Sequence, residues 1–460
     1  MQRKYIQNSS NQNNLKQIFY RFDCLQENAA QHTKKLDLKR ALLDNNKEVF
    51  RKIIEKYPEL VNEKIYDGNL AVPVFLEVIK RFDLETVEFL VEKDADIFKK
   101  DSEQKNALIY ATLAKKIDIA KYLLYRGFPV NQKDIYGKTA LIYAIENNYL
   151  DLVKLLFEID IKNFDKSKLP KEILREKYDE LYNYPDCLFY QHYSPLSIAA
   201  KLNNFEMVKY LVEKRFHPNL SYSYFYLPPL AYAIENNNFE LAKFLVENRA
   251  SIFLQFGFDQ YRFHTPLSLA TKLNREKFVK YFLELQTVDK KYSKKDLLDS
   301  AKIAIENSNL EIFKLLFLEI KKDPTIFSAL AIVANELLLE AVVFPNNLEI
   351  VKFIVENGAD LRYFKNSTFD PLQRAIRYKN KDIAIYLIER GIDVNNLGSG
   401  ESAIFYALRY IPQADFISYL LSKGADLSKL NTNYESVLDV AIKNNCSPEI
   451  IELLKQNGAI

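Results

Sequence analysis

The segment YAIENNYLDLVKLLF, residues 143–157, returns as YAIENNNFELAKFLV at 232–246 and as IAIENSNLEIFKLLF at 303–317. A chain that repeats one helix-pair phrase is an array of units, and this constrains the fold before any site is considered. The recurrent small residue of each unit serves as a ruler. Ala41, Ala111, Ala144, Ala199, Ala233, Ala270, Ala304, Ala341, Ala375, Ala407 and Ala441 fall mostly about 32 to 37 residues apart. One unit, around Pro73 and Val78, lacks the small residue. The interval from Ala144 to Ala199 is too long by roughly two-thirds of a period, which places extra sequence at 160–193.

Every unit has the same grammar. It opens on a turn with Pro, Ser or Thr, as in Ser194-Pro195-Leu196, Pro228-Pro229-Leu230, Thr265-Pro266-Leu267 and Asp370-Pro371-Leu372. Proline suits the first helical turn, where its missing N–H would have no intrahelical partner. A short helix, an Asn-rich break and a second helix follow, the last with apolar residues at helical spacing such as Leu152, Val153, Leu155, Leu156 and Phe157. The second helix stops at Gly or a substitute, as at Gly127, Gly358, Gly391, Gly424 and Gly458, because glycine takes the left-handed conformation that ends a helix.

The TPL-type openings, the paired helices and the closing loops, of which Gly127-Phe128-Pro129-Val130-Asn131-Gln132-Lys133-Asp134-Ile135-Tyr136-Gly137-Lys138-Thr139 is the fullest, resemble the ankyrin-repeat family over about Leu36 to Ile460, in roughly twelve units. The resemblance implies an all-α solenoid of stacked helix-turn-helix units with short β-turn or hairpin fingers, acting as a protein-binding scaffold. One departure stands out. Where the family usually has a histidine that ties neighbouring loops, this chain has Ile109, Ile142, Ser197, Ala231, Ser268, Gln373, Phe405 and Asp439. Weaker loop-to-loop hydrogen bonding is expected, with apolar stacking taking over. The domain reading is an Asn/Gln-rich mobile tail at 1–35 carrying one short amphipathic helix around Leu15 to Leu25, repeats at 36–159, an insertion with a helix and an aromatic loop at 160–193, and repeats at 194–460.

In a solenoid, 460 residues add units without adding new cores. A net charge of +3, from 64 basic and 61 acidic residues, gives no global pull toward nucleic acid or membrane. Cys24, Cys187 and Cys446 offer neither a disulfide framework nor a zinc spacing. No apolar run is long enough to span a bilayer, and the N-terminus lacks a secretory core. A cytoplasmic monomer is the expectation, with export by a non-classical route left open. The wealth of Asn, Lys, Ile, Tyr and Phe fits A/T-rich codons as well as it fits function.

Nothing in the chain points to catalysis. G-x-S-x-G, P-loop, G-x-G-x-x-G and H-E-x-x-H patterns are absent from the sequence. His32, His192, His217 and His264 are scattered and lack ligand spacing. We therefore expect no enzyme, no cofactor and no metal site.

Two surfaces are candidates for a partner. Three lengthened loops carry Tyr184, Phe189, Tyr190, Tyr222, Tyr224, Tyr226, Phe256, Phe258, Tyr261 and Phe263. Tyr-rich loops give large contact area at low entropic cost, although such fingers can also order themselves by packing on one another. The second surface follows from the resemblance, which places the residues after the small ones on a concave groove. Glu146, Lys201, Glu235, Lys272 and Glu306 would form a ladder of alternating sign between neighbouring repeats. Arg377, Arg409 and Lys443, with Tyr378 and Tyr410, would make a basic groove for an acidic peptide. The expected function is a non-enzymatic scaffold for a protein of unknown identity. The alternatives are a host-directed effector built on the same scaffold and, less favoured, a nucleic-acid binder or an enzyme housed in the insertion.

Overall fold

A computed structural model describes residues 32–67, 70–158, 194–219, 227–257, 263–286, 292–322, 330–364, 370–398 and 400–459. They form two compact units that divide between Pro229 and Leu230. Each unit is a stack of antiparallel helix pairs.

In the first unit, the helix Val74–Arg81 packs on Ala107–Leu113, which packs on Ala140–Glu146, which packs on Pro195–Lys201. Leu84–Glu92, Ile117–Tyr125 and Leu150–Glu158 form the second row. The repeats on either side of 159–193 are consecutive in the stack: Phe157 meets Tyr210 and Phe216 edge-on, with ring centroids 5.9 and 5.8 Å apart. The insertion itself lies outside the described residues, as do the tail helix at 15–25, Cys24 and Cys187. The tail boundary at 35 needs correction. Residues 32–43 are already helical, because Leu38, Ala41 and Leu42 bury one face of that helix beside Phe50 and Ile54 of Lys47–Lys56.

In the second unit the first-row helices are Pro266–Lys272, Lys294–Glu306, Leu330–Ala341, Pro371–Arg377, Ala403–Tyr410 and Val437–Lys443, each packed on the next. Only short antiparallel strands occur among the described residues: Lys64–Asp67 with Leu70–Pro73, and Phe256–Gly257 with Phe263–His264.

The alanine ruler marks the seam. All eleven alanines are at most 3% exposed, so the small side chain sets how closely neighbouring first helices approach. Val78, fully buried, takes that place where the alanine is missing.

The Asn-rich break has a geometric cause. Asn148, Asn203, Asn237 and Asn274 hold φ between 55 and 60°, the left-handed region that asparagine tolerates better than most residues. The asparagine next in line caps the second helix: Asn204 accepts from the Met207 N–H at 3.0 Å, Asn238 from Leu241 at 3.0 Å and Asn309 from Ile312 at 3.1 Å. Second helices end on Gly127, Gly391 and Gly424 at φ 81–89°, and on Asp94, Arg215 and Arg249 at 61–75° where glycine is missing.

The fingers are locked by their acidic residue. Asp134 Oδ1 accepts from the N–H groups of Tyr136 and Lys138 at 2.9 and 2.8 Å, and Oδ2 accepts from the Tyr143 hydroxyl at 2.6 Å. Asp101 repeats the arrangement with Glu103, Lys105 and Tyr110.

The expected weakening of loop-to-loop hydrogen bonding is corrected at several points. Gln373, in the family's histidine position, donates through Nε2 to the carbonyls of Asn396 and Glu401 on the next finger, both at 2.8 Å. Asn62 and Asn395 each bridge to the following loop, donating to the carbonyls of Asp94 and Gly424 and accepting from the N–H groups of Asp96 and Asp426. Polar ties coexist with the apolar seam because the loop asparagines and one glutamine supply what the missing histidines do not.

Candidate partner-binding surfaces

Of the aromatic finger residues, Tyr184, Phe189, Tyr190, Tyr222, Tyr224, Tyr226, Phe258 and Tyr261 lie outside the described residues. Phe256 and Phe263 are described, and they face opposite ways. In the two-stranded register Phe256 pairs with His264 and Gly257 with Phe263. Phe256 is 2% exposed and His264 1%, whereas Phe263 is 65% exposed. Successive residues of an extended strand alternate sides, so this finger roots itself through one pair and presents the other. The placement corrects the reading of Phe256 as a contact residue: its ring is spent on anchoring the finger. His264 has a comparable duty, with Nδ1 3.1 Å from the Ser268 hydroxyl at the start of the next helix.

Further anchoring comes from Tyr292, whose hydroxyl donates to the Ile252 carbonyl at 2.9 Å and whose ring lies 4.9 Å from that of Phe253. Burial holds the Tyr292 phenol well above its ordinary pKa, so it remains a hydrogen-bond donor.

One rung of the expected ladder, Glu146, has its cation within its own repeat. Lys138 Nζ holds both carboxylate oxygens of Glu146 at 2.7 and 2.8 Å. Arg409 grips Glu401 with two prongs, Nη2 to Oε1 at 2.7 Å and Nη1 to Oε2. Lys443 Nζ lies 2.5 Å from Glu435 Oε1. In all three the partners are eight residues apart, one just before the cap of the first helix and one in that helix's last turn. The ion pair thus ties a helix end to its own finger, with the sign reversed between Lys138–Glu146 and the other two. This corrects the basic groove as well. Arg409 and Lys443 are neutralised within their repeats and do not present free charge for an acidic peptide, and the Glu401 hydrogen bond raises the Arg409 pKa further. A depression of about 310 Å³ between these two clamps is lined by Glu401, Arg409, Glu435 and Lys443.

Arg377 and Tyr378 remain exposed, Tyr378 at 50%. Tyr410 is half-buried beside Tyr406, at a centroid separation of 6.1 Å. The signal that reveals the clamps was present in the sequence as opposite charges eight residues apart across each Ser or Thr opening.

Among the described residues, no group of three or more His, Cys, Asp and Glu side chains is placed to hold a metal ion. No described helix is long and apolar enough to cross a membrane. Cys446 is buried, with Sγ 3.5 Å from the Leu408 carbonyl and its thiol pushed up by burial.

The chain matches the family of ankyrin repeats, in three-copy blocks, over residues 75–167, 171–256 and 302–397, together more than half of its length. No curated protein matches it. Repeat units of this construction are generally protein–protein interaction modules, with an architecture consistent with a non-catalytic scaffold. On the buried alanine seam, the capped helix pairs and the finger locks, together with that match, the chain belongs to the ankyrin-repeat family.

Proposed function

We propose that the chain is a non-enzymatic scaffold that holds one protein partner on its finger and groove side. The observation that carries this reading is the division of labour within one finger: Phe256 anchors inward while Phe263, seven residues on, stays 65% exposed. A stacked frame presents such side chains without a large ordering cost on binding. The proposed contact residues are Phe263, Arg377 and Tyr378, together with the finger aromatics Tyr184, Phe189, Tyr190, Tyr222, Tyr224, Tyr226, Phe258 and Tyr261. Arg409, Tyr410 and Lys443 contribute shape to the groove wall, since the two cations are already paired with Glu401 and Glu435.

The asparagines of the repeat breaks have a structural duty, in left-handed and capping positions, and so do not favour the effector alternative. The nucleic-acid alternative is disfavoured by the clamped Arg409 and Lys443. A pull-down with the intact chain beside a Phe263→Ala, Arg377→Ala, Tyr378→Ala variant tests the proposal. Loss of a captured protein, with an unchanged melting temperature, is the expected result. Equal capture by both chains would place the contact elsewhere.

A further inference from the structure

Between Pro371 and Lys443 the chain carries nine lysines and arginines. Among the described residues six of them stand in ion pairs, each with a carboxylate of the same or a neighbouring repeat. The other three are Arg374, Arg377 and Lys379, and they fall together at one helix end. Their side chains form no ion pair, hydrogen bond or ring contact among the described residues. Arg374 and Arg377, three residues apart, share one side of the last turn of Pro371–Arg377. Arg374 is half-buried, whereas Arg377 and Lys379 are exposed.

The unmatched charge has a cause in the sequence. Arg409 and Lys443 are clamped by Glu401 and Glu435, eight residues earlier. Eight residues before Arg377 the chain has Phe369, which carries no charge. The acid that opens this helix, Asp370, is 2% exposed, and its oxygens accept from the N–H groups of Leu372 and Gln373 and from the Asn396 amide. Glu340 stands at Arg374's place one repeat back, and Asp382 stands three residues after Lys379. Neither pairs with any of the three cations among the described residues. The helix dipole favours cations at a C-terminus, but it leaves their outward face open to a ligand.

A stripe of rings adjoins the cations. Phe344, Tyr378 and Tyr410 each stand three residues after the seam alanine of successive repeats, Ala341, Ala375 and Ala407. The first helices of those repeats pack one on the next. Tyr378 is 50% exposed and the other two rings are half-buried.

We propose that this helix end receives an acidic segment of the partner protein. An aspartate or glutamate carboxylate of that segment lies in the guanidinium fork of Arg377, with Arg374 beside it, and the flanking side chains lie along the Phe344, Tyr378 and Tyr410 stripe. A guanidinium presents paired N–H donors that match both oxygens of one carboxylate, and no described carboxylate of the chain competes for them. Three cations neutralise few phosphates, so the patch suits nucleic acid poorly. The inference rests on the scaffold reading and sharpens it by naming the chemistry of the partner.

Selection of a random dodecapeptide phage library on the immobilised full chain provides the probe, and fluorescence polarisation on synthetic versions gives affinities. The enriched peptides should share an Asp or Glu. Its replacement by Asn or Gln should cost about tenfold in affinity or more, and Arg377→Ala in the protein should cost as much. Arg374→Gln should weaken binding too. Arg377→Glu should bind peptides in which the acid is replaced by arginine, a rescue that a purely structural role for Arg377 does not give. Thermal melts of Arg377→Ala should match the parent, since the side chain is exposed and unpaired. Peptides without a preferred acid, or with equal affinity for parent and Arg377→Ala, overturn the acidic assignment, and the scaffold reading stands if they still lose affinity on Tyr378→Ala. Tighter binding of a short poly-dT strand, lost on Arg377→Ala, overturns it in favour of nucleic acid. A selection that enriches no peptide counts against both readings.

Discussion

The side-chain amide of Gln373 donates a 2.8 Å hydrogen bond to the carbonyl oxygen of Glu401, one finger further along the stack. The same nitrogen also reaches the Asn396 carbonyl, and Gln373 is 4% exposed. Room for the amide comes from Gly398, at φ +41°, where an added Cβ would collide with it. Gln373→Ala leaves two buried carbonyls short of a donor and should cost about 2 kcal/mol in urea melts. Gly398→Ala should be destabilising too, through both the collision and its positive φ. In the double variant the two losses should add to less than their sum, since the alanine at 373 removes the collision.

The two described finger phenylalanines should separate stability from recognition. Phe256→Ala empties a buried site and is expected to cost about 3 to 5 kcal/mol. Phe263→Ala removes an exposed ring and should move the melting temperature by no more than a surface substitution does. Calorimetry on both, beside a binding assay, checks this. Equal destabilisation would mean that Phe263 is structural as well.

Backbone conformation predicts an asymmetric pair of substitutions. Arg215 ends a second helix at φ 69°, where other repeats use glycine, and Arg215→Gly should stabilise the chain by about 1 kcal/mol. Gly391 sits at φ +89° with nothing within 4 Å of a built Cβ, so Gly391→Ala should destabilise by about 1 kcal/mol through backbone strain alone. Chemical denaturation midpoints give both values.

Asp83 carries an acid-sensitive contribution. Burial acts to raise its pKa, but hydrogen bonds from Lys47 Nζ at 2.7 Å and from the Thr86 hydroxyl and N–H outweigh it and hold the pKa at about 2. A carboxyl with a depressed folded-state pKa stabilises the fold above its unfolded value, near 4, and that stabilisation is lost as the pH falls through about 2. Its side chain is 55% exposed, so solvent screening reduces the effect to about 0.5 to 1 kcal/mol. Asp83→Asn keeps a capping group and removes the charge. The variant's stability should therefore fall less than the parent's between pH 4 and pH 2. Parallel slopes would remove Asp83 from the acid response.

The groove clamps show how far sequence reading reached and where it stopped. The sequence reads Glu146 as a rung between neighbouring repeats and Arg409 and Lys443 as open cations of a groove, yet each has its counter-charge within its own repeat, at Lys138, Glu401 and Glu435. Position along the helix is a local property. The side on which a finger folds back toward that helix is not. The upstream turns of Lys294–Glu306 are not legible in the repeat for the same reason, since the IAIEN phrase aligns only the final turns of that helix.

Sequence alone determined the modular architecture: the period, the alanine seam, the Asn-rich breaks and the glycine stops. Each of these answers to hydrogen bonding or packing within a repeat or between nearest neighbours, so it leaves a pattern that recurs with the unit. Only the folded arrangement decided that Phe256 turns in and Phe263 out, that Gln373 replaces a histidine as the tie between fingers, and that two of three groove cations are neutralised. Those outcomes depend on the few ångströms separating a finger from the helix beside it, a distance set by the packing of whole repeats.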